Sequence, residues 1–360
     1  MASISYKCPN CDGELMFDPA TQKYKCPYCA SLFSQQQICA MRPDTAGAGQ
    51  TSASVQASGS HYGEATGQGE GSAVQYNCPS CGAQIVTEET TAATFCYYCH
   101  NPVILGGKLE GRFLPDQVIP FEITRENAVQ GFLQYVRKKK FVPKAFWNKR
   151  QIEKISGVYF PYWVYDVELN GRVLADARKT RSWRSGNTQY TETKIYSVRR
   201  EGDIALSNLP ENALMKAGNV LAQGVLPYRY EKAKEFHMSY LSGFLAERRD
   251  IERSRVQDKM RQTMQQSAQQ MMRETITGYN SVNIGSASFQ PVYELWKYVL
   301  FPVWTITYKG RNGKMYYYSM NGQTGKVIGE LPIDYKKVTL ASVLAAAVVL
   351  ALGLAVGYIL

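Results

Sequence analysis

The sequence predicts an α+β multidomain protein with two small zinc ribbons, a β-rich body built from a duplicated hairpin unit with a helical insertion, and a C-terminal transmembrane helix. Three observations support this fold class. Eight of the nine cysteines form four Cys-x-x-Cys pairs, a Phe-Pro-x-Trp motif occurs twice, and residues 338–360 carry no charge. A chain of 360 residues with 45% hydrophobic residues is long and apolar enough for several folded units.

These patterns divide the chain into seven predicted segments. They are zinc ribbon 1 at 1–38, a flexible linker at 39–74, zinc ribbon 2 at 75–108, a first β-rich half with a basic helix at 109–206, a helical insertion at 207–285, a second β-hairpin unit at 286–335, and the transmembrane helix at 338–360. The linker is rich in Gly, Ser, Ala, Thr and Gln, so we expect flexible coil there and a first ribbon that moves independently of the second.

The cysteine pairs have the spacing of structural metal sites. Fourteen residues separate the two pairs of each ribbon, which suits a hairpin that brings both pairs together. Four thiolates form a tetrahedral site for Zn²⁺ and leave no open position for catalysis. We therefore predict two structural zinc sites, with rubredoxin-like iron as the alternative. The predicted ligands are Cys8, Cys11, Cys26 and Cys29 in ribbon 1, and Cys78, Cys81, Cys96 and Cys99 in ribbon 2.

Residues 96–100 also match the Cys-x-x-Cys-His pattern of c-type haem attachment. The partner pair of Cys78 and Cys81, and Ala30 at the matching position of ribbon 1, favour zinc instead. The N-terminus has no apolar run and so no predicted secretory signal, which indicates a reducing compartment. Cys39 has no partner, and we expect a passive thiol.

The net charge of +11 is unevenly distributed. Residues 1–100 contain four Lys/Arg and eight Asp/Glu, a sum of −4, whereas the rest of the chain contains 37 basic and 22 acidic residues, a sum of +15. A basic body attracts anionic lipid or nucleic acid, and charge alone does not separate the two. Each Zn²⁺ with four thiolates adds −2 to the acidic ribbons, so we expect these to bind proteins rather than phosphates.

The body begins with a predicted helix over 125–140, capped by Thr124, with Phe132, Leu133 and Val136 on one side. Residues 137–154 contain eight basic residues and one acidic residue. They predict either lipid headgroup contact or an ordinary solvated surface.

Two hairpin units are predicted next. One runs from Phe160-Pro-Tyr-Trp163 through an Asn170-Gly171 turn to residues 172–177, and the other from Phe301-Pro-Val-Trp304 through a turn at 311–313 to residues 314–320. Asn-Gly between β-rich runs is a strong hairpin signal. We expect Trp163 and Trp304 to be core residues and residues 190–198 to form a further strand.

The sequence pattern of the insertion between the two units predicts helices at 210–224 and 242–275. The longer helix either lies on the body or pairs with a partner helix. Its predicted apolar stripe is Leu245, Val256, Met260, Met264, Ala268 and Met271.

Residues 338–360 form the predicted membrane span. As a helix they extend about 35 Å at ~1.5 Å per residue, enough for a hydrocarbon core of roughly 30 Å. Lys336 and Lys337 precede the span, so we expect a single-pass, tail-anchored cell-membrane protein whose N-terminal bulk is cytoplasmic. A buried core helix and an excised targeting tail are the alternatives.

The sequence shows no catalytic set. His61, His100 and His237 have no visible nucleophile partner, and the Gly-Lys pairs lack the other residues of a Walker A loop. We therefore expect no enzyme, no catalytic residues and no cofactor-binding residues.

Several motifs together resemble a bacterial family of membrane-anchored zinc-ribbon proteins of transcription-factor-IIB type, often labelled primosomal helicase. The motifs are Cys78-Pro-Ser-Cys-Gly, Thr91-Ala-Ala-Thr-Phe-Cys96, Ile119-Pro-Phe121, Gly157-Val-Tyr-Phe-Pro-Tyr-Trp163, Tyr240-Leu-Ser-Gly-Phe244 and Asn321-Gly-Gln-Thr-Gly-Lys326. The resemblance covers most of residues 75–335. It implies zinc at the eight cysteines, and a membrane anchor for a phage shock protein A-like protein or a flotillin-like SPFH protein.

Residues and resemblance together predict a non-enzymatic adaptor that recruits cytosolic proteins to the inner membrane face through its zinc ribbons, in a membrane-stress or membrane-organisation response. The alternative is a zinc-ribbon protein that binds nucleic acid in replication or transcription.

Overall fold

The computed structural model describes residues 3–41, 44–46, 74–96, 99–143, 146, 148–215, 223–310 and 313–359. Residues 47–73 of the predicted linker, with His61, lie outside these ranges. So do residues 216–222 of the helix predicted at 210–224.

The first ribbon contains a small three-stranded antiparallel sheet. Its elements are β1 (Ser3–Ser5), β2 (Met16–Asp18), β3 (Lys23–Lys25), β4 (Leu32–Phe33) and α1 (Gln35–Ala40). Strands β2, β3 and β4 pair in that order, so the predicted hairpin is confirmed. Helix α1 begins with a capping box, in which Ser34 and Gln37 bond each other's backbone N–H groups.

The second ribbon consists of two antiparallel hairpins. The strands that follow α1 are β5 (Asp44–Ala46), β6 (Val74–Asn77), β7 (Gln84–Thr87), β8 (Thr91–Phe95) and β9 (Pro102–Leu105). β6 pairs with β7, and β8 pairs with β9. Strand β1 of the first ribbon pairs with both β9 and β5. The prediction that the first ribbon moves independently is therefore wrong, because backbone hydrogen bonds join the two ribbons.

The predicted basic helix is confirmed as α2 (Arg125–Arg137), which follows β10 (Gln117–Val118) and precedes the short α3 (Lys149–Ile152). Thr124 caps α2 by accepting a hydrogen bond from the Asn127 backbone N–H, at 3.3 Å. Phe132 is buried, as the sequence pattern predicted.

Two long strands come next, β11 (Ser156–Ser185) and β12 (Thr188–Asn212). The 30 residues of β11 extend about 100 Å at ~3.3 Å per residue. Gly186 (φ +58°) and Asn187 form the turn between the strands, with glycine in the first place, where a positive φ is required.

The turn predicted at Asn170-Gly171 is wrong. Both residues lie inside β11, opposite Asp203 and Gly202 of β12. Gly171 packs closely against its neighbours, because a Cβ there would lie 2.9 Å from Ile204 Cδ1 and 3.2 Å from Phe289 Cδ1. Pairing along both edges of β11 overrides the local turn preference of Asn-Gly.

The segment after β12 contains β13 (Lys234–Glu235), β14 (Leu245–Glu247) and α4 (Arg253–Glu274). The helix predicted at 242–275 is thus confirmed only from Arg253 onward. Strand β12 continues to Asn212. The helical insertion therefore does not begin at residue 207, and the helix predicted at 210–224 does not begin at residue 210.

Helix α4 lies on one face of the long strands. Of the two predicted arrangements, a helix lying on the body and a helix paired with a partner helix, this is the first. Leu245 of the predicted stripe lies in β14, and Met271 is exposed because Met272 faces the sheet instead. The buried side chains of this layer are Met260, Met264, Ala268 and Met272 on the helix and Tyr165, Val167, Leu169, Val173, Ile204 and Leu206 on the strands.

The last elements are β15 (Ser281–Lys309), β16 (Met315–Asn321), β17 (Val327–Glu330) and α5 (Tyr335–Ile359). The hairpin of β15 and β16 confirms the second predicted unit. Its boundary at 286 is wrong, because β15 begins five residues earlier and pairs with β11 along most of its length.

Within the described residues, twelve strands form one sheet. The order is β13-β10-β15-β11-β14-β8-β9-β1-β5, with β12 beside β11 and with β16 and β17 following β15. Both ribbons therefore continue the sheet of the body. Trp163 and Trp304 are buried on it, as predicted.

Helix α5 starts three residues before the predicted span. Its segment Tyr335–Gly353 is long and apolar enough to cross a membrane, and 0% of that segment is buried. This exposure argues against the alternative of a buried core helix.

Candidate metal centres and the cleft between them

Two groups of four cysteine sulfurs occur in the described part of the chain. In each group all four Sγ atoms lie within 4.8 Å of one another. The groups are Cys8, Cys11, Cys26 and Cys29, and Cys78, Cys81, Cys96 and Cys99, which are the eight predicted ligands.

All four cysteine pairs share the same two backbone hydrogen bonds. In each turn the first cysteine donates its N–H to the residue five places later, and its carbonyl accepts the N–H of the residue four places later, at 2.7–3.0 Å. The residue after the second cysteine has φ between +59° and +75° in every case. These four residues are Asp12, Ala30, Gly82 and His100.

The position of His100 accounts for the haem-like pattern. It occupies the left-handed position of the fourth turn, as Asp12, Ala30 and Gly82 do in the other three. Cys96 and Cys99 are grouped with Cys78 and Cys81, which is a metal-site arrangement and not an isolated attachment motif.

The sulfur spacing fits a tetrahedral metal ion such as zinc. The Sγ atoms of Cys8 and Cys29 are 3.5 Å apart, and those of Cys78 and Cys99 are 3.7 Å apart. Zn–S bonds of about 2.3 Å in a tetrahedron place sulfurs about 3.8 Å apart. Four thiolates complete the coordination sphere, so such an ion holds the two turns together and leaves no position for a substrate.

Polar neighbours and burial change the acidity of the thiols. Hydrogen bonding with the side chain and backbone of Ser31 lowers the pKa of Cys29 to about 6, and Asn10 Nδ2 donates to Ser31 Oγ at 2.9 Å. In the second ribbon, burial raises the pKa of Cys99 to about 12. A metal ion must displace protons there, so its affinity falls as the pH falls.

The first ribbon is bound to the body by hydrogen bonds. The backbone N–H of Phe17 donates to the carbonyl of Ser242 at 3.0 Å, and the Ser242 hydroxyl donates to the carbonyl of Leu15. Gln22 Nε2 donates to the carbonyl of Phe121 at 2.7 Å.

The same interface is aromatic. The ring of Phe17 lies 5.4 Å from that of Tyr240, and Tyr24 is fully buried with its hydroxyl 2.7 Å from Ser239 Oγ. The ring of Tyr6 lies 6.1 Å from that of His237, whose pKa is lowered by burial. This packing fixes the orientation of the first metal centre relative to the body.

The two ribbons meet at a cleft of about 400 Å³. Ser80 of the second ribbon donates a hydrogen bond to the buried carboxylate of Glu14 in the first, which holds the two walls together. Tyr28 lines the cleft beside the ligand Cys11, and 69% of its surface is exposed. The cleft therefore presents an aromatic ring next to a metal centre.

Sequence reasoning found the ligands but missed the residues that orient the ribbons. Glu14 gives no sequence signal, and Ser80 and Ser242 lie in two of the motifs quoted above without any indication of what they contact. The Ser-Gly pair at 242–243 does mark a turn, because Gly243 has φ +91°. A turn signal does not say which segment packs against it.

Comparison with known proteins gives one extensive match, to YdjG of Bacillus subtilis (strain 168), which is described as an uncharacterized protein. The two are 30% identical over 335 residues, which is 93% of this chain and 92% of YdjG. This chain belongs to the YdjG family. No family profile and no solved structure matches it. The resemblance to zinc-ribbon proteins of transcription-factor-IIB type stays a prediction.

Proposed function

We propose that this YdjG-family protein is a non-enzymatic, single-pass membrane adaptor whose zinc ribbons recruit cytosolic proteins to the inner membrane face. The observation that carries the proposal is the cleft between two metal centres, which is fixed on the same body as an exposed apolar helix. Such a body links a protein-binding surface to a membrane.

Both metal centres support binding rather than catalysis. Four sulfurs converge in each, so a zinc ion there has no free coordination position. The ion would stabilise each ribbon by joining its two cysteine turns, in addition to the packing of the ribbons against the body.

The cleft has the surface chemistry of a protein-binding site. Tyr28 is an exposed aromatic residue, and exposed tyrosines are enriched where proteins meet. Asp12 is paired with Lys7 in the cleft, with Oδ2 and Nζ 3.5 Å apart, so the preference for a partner with a basic segment comes from the −2 charge that each zinc-bound cluster would carry. The sequence resemblance makes a phage shock protein A-like protein or an SPFH protein the proposed partner, in a membrane-stress or membrane-organisation response.

A matched pair of variants tests the proposal. Tyr28→Ser removes the exposed ring from the cleft, and Tyr190→Ser removes an exposed ring from the hairpin of β11 and β12. Full-length protein extracted from membranes with each substitution is assayed for the partner that the wild type retains. We expect Tyr28→Ser to lose it and Tyr190→Ser to keep it. Equal retention by both variants would contradict recruitment through the cleft.

Nucleic-acid binding is the second candidate, and one surface favours it. In the hairpin arm, residues 178–197, every side chain is exposed, and five basic residues accompany one acidic residue. The ring of Trp183 stacks on that of Tyr190 with centroids 5.7 Å apart, and Arg181 lies over Trp183. Basic and stacked aromatic groups together suit single-stranded nucleic acid.

This candidate predicts that the full-length protein binds single-stranded DNA. The logarithm of the binding constant should fall steeply with the logarithm of the salt concentration. Tyr190→Ser should weaken that binding, whereas Tyr28→Ser should not. The two proposals therefore predict opposite outcomes for the same pair of variants.

A further inference from the structure

A cavity of about 440 Å³ lies beside the start of the apolar helix α5. One wall is the loop that follows α2, residues 138–142, and the other is the strap from β17 to α5, residues 329–333. Tyr135 joins the walls, because its hydroxyl donates to the carbonyl of Gly329 at 3.4 Å.

The cavity combines two chemistries. Its rim carries three consecutive exposed lysines, Lys138, Lys139 and Lys140, and no acidic residue lines it. Its inner walls are apolar and aromatic, with contributions from Phe141 and Leu331 among others. The nearest carboxylates along the strap are engaged elsewhere: that of Glu330 with Lys314 and that of Asp334 with Lys337.

The cavity is tied directly to the base of α5. The backbone N–H of Asp334 donates to the carbonyl of Phe141 at 2.7 Å, and Lys337 Nζ donates to the carbonyl of Val142 at 2.8 Å. From Tyr335, the first residue of α5, to Val338, the first residue of the uncharged span, a helical rise of ~1.5 Å per residue gives about 5 Å. The polar interface on each side of a bilayer is roughly 5–8 Å thick, so a spanning α5 places the cavity at headgroup depth.

We propose that this cavity binds the phosphate-bearing headgroup of an anionic phospholipid. The three lysines bind the phosphate, and the apolar walls cover the glycerol and the first acyl carbons. A free phosphate ion would use the lysines but not the apolar walls, whereas a phospholipid matches both. The cavity volume falls within the range of small-molecule sites. The inference rests on the proposed membrane anchoring by α5.

The test uses full-length protein in a neutral detergent, titrated with dihexanoyl phosphatidylglycerol, dihexanoyl phosphatidylcholine or inorganic phosphate. Binding is measured as the shift of the thermal unfolding midpoint. The variant K138Q/K139Q/K140Q removes the rim charges, and K138R/K139R/K140R keeps them. The control R178Q/K179Q/R181Q removes three charges from the hairpin arm.

We expect phosphatidylglycerol to bind the wild type, the arginine variant and the arm control. We expect at least about tenfold weaker binding to K138Q/K139Q/K140Q, because lysines near an anionic surface contribute separately to affinity. Phosphatidylcholine or phosphate binding as tightly as phosphatidylglycerol would overturn the lipid assignment. So would phosphatidylglycerol binding that is unchanged in the glutamine variant.

Fractionation separates failure of this inference from failure of the proposed anchoring. None of the substitutions alters α5, so every variant should stay in the membrane fraction. A wild type in the soluble fraction contradicts anchoring and the lipid site together. Membrane-bound protein without preference for phosphatidylglycerol contradicts only the lipid site.

Discussion

Phe160 of β11 lies directly opposite Phe301 of β15 in their antiparallel register. Because the strands are antiparallel, the two Phe-Pro-x-Trp motifs meet at their phenylalanines and extend in opposite directions from that pair. Their tryptophans make equivalent hydrogen bonds at 2.9 Å, Trp163 to the carbonyl of Ile251 and Trp304 to the carbonyl of Ile123. The repeat builds one symmetric core, from which the long hairpin and the ribbon-bearing side of the sheet extend.

Gly157 is predicted to be essential for this core. It lies opposite Trp304, and a Cβ there would stand 2.6 Å from Phe244 Cδ1 and 3.1 Å from Phe121 Cζ. Gly157→Ala should lower the free energy of unfolding by about 1–3 kcal/mol, because the stacked rings cannot move without losing contacts. Gly202→Ala, where nothing lies within 4 Å, is the control and should change stability by less than about 0.5 kcal/mol. Chemical denaturation followed by tryptophan fluorescence measures both, and equal effects would contradict the packing.

The docking of the first ribbon depends on a buried tyrosine hydroxyl. Tyr24 is fully buried, and its hydroxyl bonds Ser239 and Gln35. Tyr24→Phe should destabilise the ribbon–body interface by about 1–2 kcal/mol, since it removes the hydrogen bonds of the Tyr24 hydroxyl to Ser239 and Gln35. Hydrogen exchange of the ribbon amides should rise accordingly. Tyr28→Phe removes an exposed hydroxyl from the same ribbon and should leave exchange unchanged; a similar rise in both variants would show that the hydroxyl of Tyr24 is not responsible.

The same interface is predicted to weaken in mild acid. Burial lowers the pKa of His237 below 6.5, and its Nδ1 accepts the Ser239 backbone N–H at 3.2 Å, which requires a neutral ring. The unfolded state then binds a proton that the folded state resists, so stability is full above about pH 6.5 and falls as the pH falls below that value. His237→Asn keeps a capping side chain without titrating. The pH dependence of unfolding between pH 7 and 5 should be shallower in this variant, and an unchanged slope would assign it to other groups.

Each cysteine cluster is predicted to hold one metal ion. The double variant Cys8→Ser/Cys11→Ser should lower the metal content of the purified protein from two ions per chain to one, because the second cluster is separate. The remaining pair of thiols in ribbon 1 should react with a thiol reagent more readily than in the wild type. Elemental analysis gives the count and the identity, zinc or iron. A wild type without metal, or with its sulfurs bridged in pairs, would contradict the assignment.

The metal ligands were predictable because their geometry is local. A Cys-x-x-Cys turn is specified by four adjacent residues, and the spacing of fourteen residues specifies the hairpin between two turns. The cap of α2 by Thr124 and the β15–β16 hairpin were predictable for the same reason. In each of these cases, residues close together in the sequence determine the local structure.

The contacts between segments that are distant in the sequence could not be predicted from such local patterns. Asn170-Gly171 has the composition of a turn, yet pairing with β12 and β15 holds both residues extended. The linker composition suggested an independent first ribbon, yet Ser242 and Phe121, more than 70 residues beyond the linker's start, bind it to the body. Both residues lie in motifs that the sequence analysis quoted, but a motif does not indicate which distant segment its serine hydroxyl or backbone carbonyl contacts.

The most direct test of recruitment through the ribbons compares full-length wild type with Cys78→Ser/Cys81→Ser, both extracted from membranes. The measurement is the amount of phage shock protein A-like or SPFH partner that co-purifies per chain. We predict that the wild type retains the partner, and that the variant stays in the membrane through the unchanged α5 but loses it. Equal amounts of partner with both proteins would contradict ribbon recruitment.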